Sequence, residues 1–220
     1  MSDTQTPMPP ANQRPADLKE ACLQAAHEVI AEQGVEGLSM RDVSRKLHIS
    51  HQAPYRHFPS RDHLLAEIMR RCFVDFARHL DASAHPLDAA AVHTGPNRLA
   101  AMGLAYMDYA AAKPLEYRLM FGTPWPEPAS HPELVKHAVH AFDILRNHLR
   151  QQHGTSPAQT ERADLDALFI WSTLHGLATL MQANVLPHLA LSAHVMSQAQ
   201  THAMQHMGVA LAASASGVLA

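Results

Sequence analysis

The stretch Ser39-Met40-Arg41-Asp42-Val43-Ser44-Arg45-Lys46-Leu47-His48-Ile49-Ser50-His51-Gln52-Ala53-Pro54-Tyr55-Arg56-His57-Phe58-Pro59-Ser60-Arg61 decides the reading of this chain. Ser39 opens a short helix: its hydroxyl can accept from the free amides of the first turn, and Asp42 takes the acidic place of a capping box. Met40, Val43 and Leu47 recur at helical spacing and form its buried stripe. His48 and Ile49 make a tight turn, with His48 in a left-handed conformation that a His tolerates at some cost. Ser50 is placed to cap a third helix over about His51 to His57, and Pro59 ends it. Pro54 lies early enough in that helix for the distortion to stay within its first turn. Two short helices joined by a tight turn, the second opening on small polar residues, form a helix-turn-helix, in which the second helix enters the major groove.

Working outward, a first helix runs from about Ala16 to Gln33, with Leu18, Cys22, Ala25, Ala26, Val29 and Ile30 on one face and Gly34 as a left-handed C-cap. Beyond the decisive stretch, Ser60 caps a long helix to about Ala84 that turns Leu64, Leu65, Ile68, Cys72, Phe76 and Leu80 inward. Proline and glycine then divide the chain into helices over about 97–113, 115–121, 132–153, 157–185 and 189–213. No segment alternates with the period of a strand. The expected fold is all-α: a leader over 1–15 that reads as disordered, a helix-turn-helix domain over 16–62 and a larger helical domain over 63–220.

The formal net charge of the 220 residues is −3, which argues against a nucleic-acid partner until the charges are placed. The window Ser39 to Arg61 holds five basic residues against one acid, with His48, His51 and His57 interleaved. After Asp166 the sequence holds no Asp, Glu, Lys or Arg, and five histidines are its only ionisable side chains. A charge-free stretch of that kind is buried or meets something apolar. Its most membrane-like run, Leu168 to Val185, is broken by His175, Gln182 and Asn184 and reads as a buried helix; no membrane partner is expected. Two cysteines, Cys22 and Cys72, fit reduced core positions in the cytoplasm.

The third helix would present His51, Gln52, Ala53, Tyr55 and Arg56 to double-stranded DNA. Gln52 can bond an adenine edge bidentately, Arg56 can reach guanine or a phosphate, and Ala53 can offer a methyl contact. Tyr55 and His57 suit phosphate positioning.

The strings Gly37-Leu38-Ser39-Met40-Arg41-Asp42-Val43 and Ile49 through Leu65, with the order Tyr-x-His-Phe ahead of a basic residue and a Leu pair, resemble the tetracycline-repressor (TetR) family of bacterial transcription regulators. The resemblance implies that Tyr55, His57 and Arg61 bind phosphates, and that Ser39 and Arg41 touch the backbone from the second helix. It further implies that Ser50 to Ala53 and Arg56 face the bases, and that Phe58 anchors the third helix. A second likeness lies in Pro114–Gly122 and in Trp171-Ser172-Thr173-Leu174-His175-Gly176, which resemble the subgroup whose C-terminal domain is named for Trp, His and Gly. It implies a helical bundle around an effector cavity and a homodimer built on the last two long helices.

The charge gap meets that implication, since obligate homodimer seams are large and apolar. Leu174, Leu177, Ala178, Met181, Val195 and Ala199 are the candidate seam residues. Trp171 and His175, one turn apart, read either as packed core or as the border of an effector cavity shared with Tyr106, Tyr117, Met120, Phe121 and Trp125. The function expected is a ligand-responsive repressor that binds a palindromic operator as a homodimer and is released by a small apolar or aromatic effector.

The alternatives are a metal- or pH-responsive regulator using histidines, and an all-helical carrier or enzyme without DNA binding. No Gly-rich phosphate loop, Cys-x-x-Cys or nucleophile elbow supports an enzyme. His137 with His140, and His202 with His206, are spaced to chelate. Without Cys or carboxylate partners at fixed spacing, they read as surface histidines, and neither a metal nor a resident cofactor is expected.

Overall fold

The computed structural model describes residues 15–84, 96–183 and 186–215, and its chain divides into two compact units, one up to Ile68 and one from Met69 onward. The division falls inside the long helix that opens at Arg61, a few residues beyond the expected 62/63 boundary. The expected leader lies outside the described residues, as does the end of the helix expected to reach Val185.

In the first unit α1 (Pro15–Gln33) buries Cys22, Leu23, Ala25, Ala26, Val29 and Ile30 on one face. It ends as its sequence requires: Gly34 takes φ 78° and donates its amide to Ile30 O at 2.9 Å. Helix α2 (Met40–Lys46) is capped by Ser39, whose Oγ accepts from the Asp42 amide at 3.1 Å. Asp42 departs from the expected capping box, because its carboxylate accepts the Ser39 hydroxyl proton at 2.5 Å. His48 adopts φ 54°, the left-handed turn read from its position.

The third helix differs from the expectation. Instead of an α-helix over 51–57 there is a turn followed by a single 3₁₀ turn, Pro54–Arg56. Pro54 carries no N–H to offer the Ser50 carbonyl, and its ring crowds the carbonyl four residues back. Ser50 O takes the Ala53 amide at 3.0 Å, and Pro54 O takes the amides of His57 and Phe58 at 3.0 Å each. The tightened segment is pinned from below by Pro54 and Phe58, both buried. Ser60 then caps α3 (Arg61–Ala84) through the His63 amide at 3.3 Å, and α3 turns Leu64, Leu65 and Ile68 into the first core before continuing into the second unit.

The second unit contains the rest of α3, with α4 (Pro96–Ala112), α5 (Pro114–Phe121), α6 (Pro132–His153), α7 (Pro157–Gln182) and α8 (Ala193–Ala215). Two 3₁₀ turns, Pro128–Ser130 and Leu186–Leu189, fall where loop or helix was expected, so α8 starts later than 189. Gly154 at φ 106° ends α6, and Ser156 with Gln159 forms a complete capping box for α7. Ala141, Ala163 and Ala167 are fully buried, which suits close packing of the adjoining α6 and α7. Arg150 forks onto Asp164 at 2.8 and 2.6 Å and ties the two helices together. No described helix is long and apolar enough to cross a membrane.

Candidate nucleic-acid interface and effector cavity

In the first unit the residues read as a DNA surface divide into presenters and supports. Arg41, Ser50, His51, Gln52, Tyr55 and Arg56 are exposed, while Ser39, Ala53, His57 and Arg61 are half-buried. Tyr55 is 40% exposed although aromatic, and its ring meets His51 edge to face with centroids 5.6 Å apart. An aromatic left at the surface beside a second ring, with buried Pro54 and Phe58 beneath the same turn, offers a rigid donor edge to an outside partner.

The basic patch is sparser than its composition. Lys46 is held by Glu32 at 2.6 Å and Glu28 at 3.2 Å, both from α1, and these partners raise its pKa. Arg45 lies 2.6 Å from Asp42. Arg61 donates Nε–H to Leu38 O at 2.8 Å and Nη2–H to Val35 O at 2.6 Å, with Nη1 3.3 Å from Asp62. Among the described residues, Arg41 and Arg56 are the two cations of the patch without an intramolecular partner. The sequence reading missed that Arg61 clamps the turn between α1 and α2. Both acceptors are main-chain carbonyls more than twenty residues away, a pairing no spacing rule reveals.

In the second unit the seven residues read as an effector site divide in another way. Tyr117 Oη lies 2.7 Å from His175 Nδ1, and Tyr106 Oη lies 2.9 Å from Tyr117 Oη and 3.3 Å from His175 Nδ1. An imidazole protonated on Nε2 would accept the Tyr117 hydroxyl proton at Nδ1. Burial holds the His175 pKa below the usual imidazole value and pushes both phenols up. Around this polar core Phe76, Phe121 and Trp171 meet Tyr106, Tyr117 and His175 at centroid distances of 5.0 to 6.0 Å. Trp125 donates Nε1–H to Met120 O at 3.0 Å. Most of the seven are thus packed against one another.

Tyr106 and Trp171 also border open space, a narrow chamber with Leu80, Met102, Ala141 and Leu145 around it. Leu99, Gly103, Ile170 and Leu174 line both this chamber and a cavity of about 340 Å³ between α4, α6, α7 and α8, whose other walls include Leu149, Gln152, Met204, Met207 and Leu211. That volume lies within the range of small-molecule sites. Open space persists where side chains are small: a Cβ on Gly208 would meet nothing within 4 Å. His153 faces the cavity but is held 3.0 Å from Asp166, which leaves Gln152, itself 3.1 Å from buried His148, as a polar end. Isolated glycines at 103 and 208 inside helices were the sequence signal for these walls.

The seam residues need one correction. Leu174 and Ala178 are 3% and 2% exposed and turn into the protomer, because the inner stripe of α7 continues through Ala163, Ala167 and Ile170. Leu177 and Ala199 are half-buried, while Met181 and Val195 are exposed. The outer face of α7 instead presents Leu165, Leu168 and Phe169, and about three turns further on Leu180, with Leu165 61% and Leu168 58% exposed. Both cysteines are buried with pKa raised by burial, Cys72 up to about 12, so their thiols stay protonated.

A helix-turn-helix unit followed by an all-helical unit with an internal cavity defines a class: a DNA-binding regulator with a separate sensory part. The sequence signature described as bacterial regulatory proteins of the tetR family matches residues 23–68, and that described as the tetracyclin repressor-like C-terminal domain matches residues 99–212. The chain belongs to the TetR family and is a DNA-binding transcriptional regulator.

Its fold is similar to a protein of unknown function from Rhodococcus sp. RHA1, with 26% identity, 86% of this chain and 94% of that chain covered and a TM-score of 0.66. A bacterial regulatory protein in the tetR family from Rhodococcus RHA1 gives 17%, 86%, 95% and 0.57. The transcriptional regulator FadR from Bacillus subtilis, in complex with stearoyl-CoA, gives 13%, 86%, 96% and 0.61. No curated protein matches.

Proposed function

We propose that this regulator is a homodimeric, ligand-responsive repressor that binds a palindromic operator and is released by a small apolar effector. The observation carrying this reading is the exposed edge His51-Gln52-Tyr55-Arg56 set over buried Pro54 and Phe58. Gln52 and Arg56 read bases; Tyr55, His57 and Arg41 position phosphates; Ser39 and Ser50 lie beside them; and Ala53 offers its methyl group. Arg61 acts from behind by holding the α1–α2 turn. The exposed apolar face of α7, continued by Met181 and Val195, supports a twofold seam, and a twofold dimer requires half-sites related by the same symmetry.

The effector occupies the cavity lined by α4, α6, α7 and α8, with Tyr106 and Trp171 on the narrow chamber that shares its Leu99, Gly103, Ile170 and Leu174 walls and the Tyr117, Met120, Phe121, Trp125 and His175 cluster behind them. Aliphatic and thioether walls select an apolar body. Release requires that the effector bind the DNA-free conformation more tightly than the DNA-bound one. On this reading the protein is a regulator rather than an enzyme and works in the cytoplasm.

The test is a footprint on the intergenic DNA beside its own gene, followed by two variants. Tyr55→Phe combined with His57→Ala weakens binding to every sequence and flattens the salt dependence; unchanged operator affinity would remove both from the phosphate contacts. Gln52→Ala relaxes preference at one position per half-site by about 1 to 3 kcal/mol. Uniform weakening would instead move Gln52 to the backbone.

A further inference from the structure

Helix α8 has two faces of different chemistry. Met204, Met207 and Leu211 look into the cavity. The opposite face carries Val195 and Val209, 47% and 67% exposed, and between them His202 and His206, also exposed. The two imidazoles sit one helical turn apart with ring centroids 4.2 Å apart and planes inclined by 48°.

The other pair at chelating spacing is not equivalent. His137 lies 3.4 Å from the Arg70 guanidinium, and burial together with that cation holds its pKa down. By contrast, α8 carries no Lys, Arg, Asp or Glu at all, so no cation on it repels an ion at His202 and His206 and no carboxylate on it engages them.

A zinc ion takes imidazole nitrogens at about 2.0 to 2.1 Å, and two such nitrogens on one tetrahedral ion stand about 3.3 Å apart. Rings with centroids 4.2 Å apart reach that span by small side-chain rotations. One chain leaves the sphere half-filled, because the described residues contain no group of three or more His, Cys, Asp or Glu able to hold an ion. The missing ligands have an evident source in a second copy, since the pair lies between two exposed valines on a face that no described residue of the protomer buries.

We propose that His202 and His206 form half of a divalent transition-metal site, completed by the same two residues of a second copy across the twofold seam. This rests on the dimer reading given above. Four neutral imidazoles suit Zn²⁺, Ni²⁺ or Cu²⁺ rather than Mg²⁺ or Ca²⁺. An ion bound only by the dimer tightens the dimer by linkage.

The experiment uses the full chain without a histidine tag, stripped by chelator, in equilibrium dialysis against Zn²⁺ at pH 7.5. Wild type, His202→Gln, His206→Gln and the control His137→Gln are compared. The expected result is one Zn²⁺ per two chains that disappears in either α8 variant and persists in the control. Zinc lowers the dimer dissociation constant at least tenfold in wild type and control only. Equal zinc uptake by wild type and His202→Gln overturns the site. One histidine-dependent ion per chain, with the dimer constant unmoved, overturns its sharing between copies. Light scattering of the stripped proteins separates the two levels. A dimer without histidine-dependent zinc ends the metal proposal alone, whereas a monomer with and without zinc ends the dimer reading as well.

Discussion

Helix α2 spans seven residues and carries four formal charges, whereas α8 spans 23 and carries none. A seven-residue helix cannot hold itself in water. Every support α2 has is specific: the Ser39 cap, the Lys46 bridges to α1, the Arg61 clamp under the preceding turn, and Met40 and Val43 in the core. Helix α8 is more than three times as long. One of its faces borders a cavity and the other, with Val195, His202, His206 and Val209, is exposed among the described residues. A helix fixed by directional bonds keeps one geometry, as reading a DNA edge demands. A helix fixed by apolar contact on one side can adjust to what fills a cavity or covers a seam.

The most severe way to break this contrast is to put charge where the chain has none. Leu168→Glu, on the outer face of α7, places two carboxylates in the proposed twofold seam. Each is stranded without a partner at a cost of several kcal/mol. The expected outcome is a folded monomer by light scattering at micromolar concentration, with the dissociation constant raised more than about a thousandfold. A Leu168→Glu protein that stays dimeric moves the seam elsewhere. Leu174→Glu, one and a half turns on but inside the protomer, is expected to lose cooperative unfolding altogether.

Next in size is the clamp behind α2. Arg61→Ala removes the side-chain donor from the Leu38 carbonyl and one of two donors from the Val35 carbonyl, which keeps the Leu38 amide at 3.1 Å, and is expected to lower the stability of the first unit by about 1 to 3 kcal/mol in urea unfolding. Arg61→Lys should recover only part of this, since one ammonium cannot span both acceptors as a guanidinium fork does. Under conditions where the variant is folded, the salt slope for DNA should match wild type. A slope smaller by about 0.9 would make Arg61 a phosphate contact after all.

The first unit was the more legible of the two because its determinants are local. Gly34, Ser39, His48 and Ser60 act within four residues of themselves, and the structure places each in the expected turn or cap. Pro54 was legible as a disturbance but not in extent: the lost N–H could be absorbed by one distorted turn or by a change to 3₁₀ bonding. Bonds from residues three apart won because Phe58 and Pro54 are both drawn into the core. In the second unit the inward stripe of α7 and the aromatic residues of the Tyr106 cluster were legible as apolar. Whether an apolar side chain packs against its own protomer, a ligand or another copy is a tertiary matter, and for that reason Leu174 and Ala178 were misassigned to the seam. The cavity walls on α8 lie about a hundred residues from those on α4, beyond the reach of any local pattern.

The pH dependence of the second unit follows from its buried imidazoles. His148 is held below the usual value by burial and by the Arg98 cation, and His175 by burial. A depressed folded pKa means that the unfolded chain takes up the proton first. The stability from these groups is therefore complete above the ordinary imidazole value of about 6.5 and is lost as pH falls toward the folded values. The urea midpoint should be level from pH 8 to 7 and decline below about 6.5. His175→Gln should flatten part of the decline, and an equal decline in that variant would exclude His175 as its source.

The smallest effect distinguishes the two glycines beside the cavity. Each sits inside a helix, where replacement by Ala gains about 0.5 to 1 kcal/mol in backbone propensity if nothing opposes it. At Gly208 on α8 the added Cβ meets no atom within 4 Å, so Gly208→Ala should realise that gain as a rise in melting temperature. At Gly103 on α4 the Cβ would come within 2.8 Å of Met204 Sδ and 3.0 Å of its Cε. A thioether end can swing aside, but here it swings into the cavity, so the propensity gain is offset and Gly103→Ala should come out near neutral. The pair also reads the cavity directly, since only the Gly103 variant displaces a lining side chain. If Gly103→Ala stabilises as much as Gly208→Ala, Met204 moves freely, and α8 is held to α4 more loosely than their contact implies.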